Sequence, residues 1–226
     1  MLQPAHEYYA VLQRDYATRI RQLVPRYDEL VGCIVGTLRE RSPVNVLDIG
    51  TGDGSLSRVV LEALPDARLT AVDASPDMAA EAARQLEPFG ERATVVRADI
   101  LQLEPAEPFD AVFSNLVLHN IPFPEKRQLL ATIAGWLRDG GLFVWGDLIR
   151  HPDPVVQQRL VSERRAFALS EGCPEEIVEW NFKKESGDDY PFTTVKAAEA
   201  LKRAGFDNMQ LVWEHDTFAL FLAEAP

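Results

Sequence analysis

The chain predicts a doubly wound α/β sheet. Three observations point there. Short apolar runs alternate with amphipathic helical stretches from residue 44 to residue 150, a glycine-rich turn follows the first run directly, and two alternating runs close the chain. Alternating strand and helix periods imply a mostly parallel sheet covered on both faces, and a closing hairpin implies an antiparallel strand at its edge. A length of 226 residues suits one core with a modest cap.

Residues 6 to 41 carry apolar or aromatic side chains at three- and four-residue steps, through Tyr9, Tyr16, Ile20, Leu23, Tyr27, Leu30, Ile34 and Leu38, and read as helix. Pro25 breaks that run in two, because proline removes a backbone donor and clashes with the preceding turn. "VNVLDIG" is then a buried strand, "SLSRVVLEAL" a helix and "ARLTAVDAS" a second strand. "SPDMAAEAARQLEPF" is a helix capped by Ser75 with Pro76 in its first turn, followed by "ATVVRADI" as the third strand. "FDAVFSNLVL" is the fourth, "PEKRQLLATIAGWLRD" a helix opened by Pro124, and "GGLFVWGDLI" a fifth strand after a paired-glycine stop. Residues 152 to 182 read as helix with two proline interruptions. "TTVKAAEALKRAG" is a helix capped by Thr193 or Thr194, and "MQLVWEH" and "TFALFLAE" pair around a turn at Asp216.

Composition narrows the function. With 46% hydrophobic and 26% charged residues the chain is globular, and a formal net charge of -12 argues against the clustered basic face that nucleic-acid backbones require. No apolar run approaches the roughly 20 residues of a membrane span, and the first residues lack the basic-then-apolar order of a signal peptide, so a cytoplasmic protein is expected. Cys33 and Cys173 lie far apart without metal-ligand spacing, which fits a reducing compartment and no disulfide.

The turn "VLDIGTGDGSLS" carries the chemistry. Gly50, Gly52 and Gly54 let the chain turn tightly and let a ligand approach the backbone. Asp73 ends the second strand at the distance of a carboxylate that accepts ribose hydroxyls, and Asp99 ends the third, where it could accept from an adenine amino group. A dinucleotide would need the spacing G-x-G-x-x-G and a pyrophosphate at the helix start. Here the third glycine comes one residue early, and Asp48 and Asp53 would repel phosphate. Those acids suit a ligand with a cationic end.

"VLDIGTGDGSLS", "LTAVDAS", "RADI", "FDAVFSNLVLHNI" and "LRDGGLFVWGDL" resemble the successive motifs of class I S-adenosylmethionine-dependent methyltransferases, strongly from about residue 44 to 150 and more loosely elsewhere. The resemblance implies a Rossmann-like seven-stranded sheet with S-adenosylmethionine across its first half. Asp48, Gly50, Gly52 and Gly54 would border the methionine end, Asp73 and Ala74 the ribose, Asp99 and Ile100 the adenine, and Asn115 and Leu116 the sulfonium. The outer parts are similar to a subgroup of small bacterial and archaeal methyltransferases that includes relatives of the tRNA wobble-uridine carboxymethylating enzymes. In that subgroup the leading helices cover the cofactor and a tyrosine matching Tyr27 contacts it. This implies a helical lid over residues 1–41, a methyltransferase domain over 42–226 and a helical cap inserted at about 151–190. The tRNA enzymes hold a carboxylated cofactor with an arginine before the last helix. "NFKKESGDDYPFTT" offers Lys183 and Lys184 there instead, which speaks against carboxyl transfer.

Methyl transfer is an in-line displacement at an activated carbon, so alignment and water exclusion matter most. For a hydroxyl or amine acceptor His119 is the first candidate base and Asp147, at the end of the fifth strand, a candidate orienting group. Tyr8, Tyr9, Tyr16 and Tyr27 lie at a spacing that suits either core packing or closure over a cation. Arg19 and Arg21 read as solvated face residues. His6, His119, His151 and His215 are scattered, "SGDDY" reads as an exposed turn, and no metal site is expected. Phe167, Trp180, Phe182, Tyr190 and Phe192 in the cap either line a substrate surface or pack the helices together. The expected activity is methyl transfer to an oxygen, nitrogen or carbon atom of a small organic acceptor. An RNA substrate and a catalytically idle cofactor-binding protein are the alternatives. The expected partners are the small-molecule acceptor and, left open, a second copy in a homodimer.

Overall fold

The computed structural model describes residues 16–226. Tyr8, Tyr9 and His6, and the start of the expected leading helix, lie outside the described residues. Two helices come first, α1 (Tyr16–Leu23) and α2 (Tyr27–Arg41), parted at Val24–Arg26 as Pro25 requires. The alternating part follows as β1 (Asn45–Ile49), α3 (Ser55–Ala63), β2 (Arg68–Asp73), α4 (Pro76–Leu86), β3 (Ala93–Arg97), β4 (Phe109–Asn115), α5 (Phe123–Trp136) and β5 (Leu137–Leu148). The cap helices α6 (Pro154–Ser170) and α7 (Glu175–Gly187) precede α8 (Thr194–Arg203), β6 (Asp207–His215) and β7 (Phe218–Glu224).

The sheet has seven strands in the order β3-β2-β1-β4-β5-β7-β6. β1 to β5 run parallel, and β7 lies antiparallel between β5 and β6. This is the doubly wound, Rossmann-like α/β architecture, with the order reversing between β1 and β4. Ligand sites in such sheets form beyond the carboxyl ends of the strands at that reversal.

Strand alternation explains the two cores. Val46, Phe113 and Val144 face one side and meet Leu30, Ile34 and Leu38 of α2 and Val60 and Leu61 of α3. Leu47, Val112 and Phe143 face the other and meet Leu129, Leu130 and Ile133 of α5 and Leu201 of α8. Burying each such aliphatic side chain contributes about 2 kcal/mol. A third cluster is separate: Leu23 and Val24 from the first helices pack with Ala168, Cys173, Val178 and Phe182 of the cap, against Leu148 and Phe218 at the sheet's rim.

Cap chemistry follows the expected pattern at several helix starts. The Ser75 hydroxyl accepts from Met78 N at 3.3 Å and Thr193 accepts from Lys196 N at 3.2 Å. Two boundaries differ. The α5 helix passes directly into β5 at Leu137, and the paired glycines lie inside the strand, where Gly140 N donates to Ala225 O and Ala225 N to Gly141 O. They form an irregularity between Leu137 and Leu142 and do not stop the helix. Likewise β3 ends at Arg97, because the Asp99 carboxylate accepts from Leu101 N at 3.0 Å and winds Ile100–Gln102 into a short turn. No helix among the described residues is long and apolar enough to cross a membrane.

Candidate active site

The first turn is held from below. Gly50 N and Thr51 N both donate to the Val72 carbonyl, at 2.8 and 3.0 Å, which ties the loop to β2. At Gly54, with φ of +83°, an added Cβ would stand 2.9 Å from the Ala82 Cα, so α3 and α4 cross where no side chain fits. Gly52, at φ +59°, is different: its nearest neighbour for a Cβ is the Tyr16 ring at 3.9 Å, and the open space in front of it is a cavity.

That cavity measures about 380 Å³ and runs along the ends of β1, β2, β3 and β4. Gly50, Gly52, Asp73, Ala74, Asp99, Ile100, Asn115 and Leu116 line it, all of them expected on sequence grounds. Tyr16, Met78, Val117 and Ile121 are among its other wall residues. Asp73 is fixed by two backbone donors, Gly52 N on Oδ2 and Ser75 N on Oδ1, each at 2.9 Å. Burial pushes its carboxyl up from the ordinary range, against those two hydrogen bonds.

Three expected residues stand behind this wall. Asp48 lies beneath the turn, 2% exposed, where the Ser57 hydroxyl donates to Oδ2 at 2.6 Å. Burial raises its pKa to about 7, more than the Ser57 and Thr51 hydrogen bonds lower it. Gly54 forms the helix crossing. Tyr27 sits behind Asn115, whose Nδ2 reaches its hydroxyl at 3.4 Å, and burial pushes the phenol far up, so it stays neutral. The Asn115 Oδ1 is buried with no hydrogen-bond partner among the described residues.

A second, smaller cavity of about 60 Å³ adjoins the first, with Tyr16 and Leu116 lining both. Leu116 has φ of +59°, a left-handed conformation that costs a non-glycine residue about 1–2 kcal/mol. Its amide donates to Gly146 O at 2.8 Å, which holds the bend at the end of β4. His119 sits on the smaller cavity, with Nδ1 2.6 Å from Asp147 Oδ1. The Asp147 carboxylate also accepts from Trp145 Nε1 and Leu148 N, both at 3.0 Å. An ionised carboxylate only accepts, so the Nδ1–H of His119 donates to Asp147. The fourth and fifth strand ends therefore bring together the two residues expected to share catalysis.

The cap supplies charges that periodicity does not reveal. Arg164 of α6 is 2% exposed and Nη1 donates to both Glu185 oxygens at 3.0 Å and to Thr217 Oγ1 at 2.7 Å. Lys184 donates to Asn120 Oδ1 at 2.6 Å and pairs with Asp189. Asp189 thus corrects the reading of "SGDDY" as an exposed turn: its side chain is 5% exposed because it is ion-paired inside the cap and lies 4.0 Å from His119 Nε2. Lys126 is wholly buried, donates to the Tyr190 carbonyl and lies over Phe123 and Phe192. Burial brings its pKa down to about 8 despite Asp147 and Asp189 nearby. Of the cap aromatics, Phe192 and Tyr190 pack against Phe123, and Phe182 joins the cap's own core. Arg21 forms an exposed pair with Asp28, whereas Arg19 lines the smaller cavity. No group of three or more potential metal ligands occurs among the described residues.

Fold and site together define a nucleoside-binding α/β protein with a second chamber against the cleft. Residues 46–141 match the model of a methyltransferase domain family. The chain is 38% identical over 84 residues to a trans-aconitate 2-methyltransferase of Streptomyces avermitilis, covering 36% of this chain and 31% of that protein. It is 28% identical over 213 residues to a carboxy-S-adenosyl-L-methionine synthase of Chromohalobacter salexigens, covering 90% of this chain and 77% of that one. Among solved structures, the N-methyltransferase NodS of Bradyrhizobium japonicum, in complex with S-adenosyl-L-homocysteine, superposes with a TM-score of 0.67 at 18% identity, covering 97% of this chain and 98% of that one. The chain spans about a third of the length of the first curated relatives it matches. Residues 46–141 thus carry a methyltransferase domain, and the chain as a whole has the fold of these S-adenosyl-L-homocysteine-bound enzymes.

The residues present fit S-adenosylmethionine. Gly52 leaves a cradle that a Cβ would enter, and Asp73 and Asp99 on the same cavity supply acceptors for hydroxyl and amino groups. Asp48 and Asp53 lie at the turn and leave it without the positive field a pyrophosphate would need.

Proposed function

We propose that this chain transfers the methyl group of S-adenosylmethionine to an oxygen, nitrogen or carbon atom of a small organic acceptor. The observation that carries this reading is the small chamber beside the glycine cleft, with the His119–Asp147 pair on its wall. When bound, the cofactor supplies a methyl carbon activated by positive sulfur. The chain's own residues do the rest. Gly52 and Asp73 hold the ligand, Tyr16 and Leu116 line both cavities where they meet, and residues of the cap helices wall the smaller one. If the accepting atom carries a proton, His119 Nε2 takes it as the new bond forms, and Asp147 stabilises the imidazolium that results. The chamber's size and the net charge of -12 support a small acceptor over RNA.

The first experiment is calorimetric titration with S-adenosylmethionine, S-adenosylhomocysteine and NAD, on the native chain and on Asp73→Ala. Both adenosyl ligands bind at micromolar concentration, NAD does not, and the substitution weakens binding about 10- to 100-fold, the value of a charge-assisted hydrogen bond. Absence of adenosyl binding, or binding indifferent to the substitution, refutes the reading. Affinity for an RNA that falls steeply with salt would replace the small acceptor by a nucleic acid.

A further inference from the structure

The smaller cavity is walled by ionic side chains. Its wall carries three cations, Arg19, Arg164 and Lys184, against two carboxylates, Glu185 and Asp189. Each carboxylate is already committed, Glu185 to Arg164 and Asp189 to Lys184.

Arg164 is the unusual member. Its guanidinium lies between the Phe218 and Phe182 rings, 4.4 and 5.1 Å from their centroids, so its plane is held in place. Among the described residues its hydrogen bonds all leave from Nη1, and Nε is buried with no partner there. A buried donor without an acceptor costs about 1–3 kcal/mol, and a guanidinium edge matches the two oxygens of a carboxylate. We infer that the small cavity receives a carboxylate of the acceptor against the Nε–Nη2 edge of Arg164, which makes an organic acid the substrate class. The inference rests on the methyl-transfer reading and specifies its acceptor. The apolar side chains of Ile20, Leu148 and Phe218 on the same wall face the acid's carbon skeleton, and His119 faces the atom that is methylated.

The test uses acetate, propionate and benzoate, each beside its own amide, added to the full chain with and without S-adenosylhomocysteine and read by ligand-observed NMR. At least one acid binds, and its amide binds at least tenfold more weakly. Arg164→Met abolishes acid binding while the affinity for S-adenosylhomocysteine stays as it was. Glu185→Gln frees the guanidinium from its internal counter-ion and tightens the acid three- to tenfold. Equal binding of acid and amide, or no binding of any acid, overturns the inference. A Glu185→Gln chain with unchanged or weaker acid affinity overturns it as well, and that arm decides alone if Arg164→Met does not fold. Failure of the methyl-transfer reading is distinct, because S-adenosylhomocysteine then fails to bind whatever the acids do.

Discussion

The cleft at the ends of β1 to β3 and the chamber under the cap share two wall residues and are made of different materials. The cleft is mostly backbone: a glycine turn bonded to Val72, a carboxylate clamped by two amides, and a helix crossing at Gly54 that leaves no room for a side chain. The chamber is mostly side chains: His119 on Asp147, Arg164 on Glu185, Lys184 on Asp189. A backbone-built site depends on the fold as a whole, whereas a side-chain-built site can be altered one group at a time. Substitutions should therefore divide sharply between the two.

The largest effect is expected in the chamber. His119→Ala lowers kcat about 10²- to 10⁴-fold for a protonated acceptor, the usual range for losing a positioned base, with S-adenosylhomocysteine binding unchanged. Turnover and calorimetry on the same preparation check it, and a parallel loss of cofactor binding would erase the distinction between the two regions. Next comes the cleft. Gly54→Val must adopt a left-handed backbone and push into the Ala82 main chain, at a cost of about 2–4 kcal/mol. The expected outcome is a lower Tm and weaker cofactor binding together, measured by thermal melts with and without ligand.

A further effect is a pH dependence seated under the turn. The Asp48 pKa is raised from 3.8 to about 7 in the folded chain. Its contribution to stability is thus fully present below about pH 4 and is lost as pH rises to about 7, since the unfolded chain ionises first. The slope for one group is at most about 1.4 kcal/mol per pH unit. Urea unfolding of the native chain and Asp48→Asn at pH 5 and pH 8 checks this: stability falls less between the two pH values in the variant.

The same division governs what could be read from the residues alone. A tight turn accepts few residue types, so Gly50, Gly52 and Gly54 are visible in a bare sequence, as are aspartates placed where strands end. The cap offers no such constraint. Arg164 and Arg165 are adjacent in "SERRAF", yet the first is buried under two aromatic rings and the second forms a half-exposed pair with Glu179. Helical periodicity places them 100° apart and says nothing of which faces a cavity. Lys126 is hidden in the same way, because a lysine near a helix start reads as solvated. The glycine pair at 140 and 141 misleads for another reason: glycine serves a strand irregularity as readily as a helix stop, and only the pairing with Ala225 distinguishes them.

The cap's separate core has a kinetic consequence. Ala168, Cys173, Val178 and Phe182 pack with one another and with the first helices, touching the sheet at Leu148, Phe218 and Trp213. Small cores joined to large ones along a narrow seam open on their own, well below the free energy of global unfolding. Native-state hydrogen exchange should then show two tiers, with the amides of α6 and α7 exchanging while β1 and β4 remain closed. On the methyl-transfer reading, release of the acceptor is then expected to follow the cap's opening rate while the sheet stays closed.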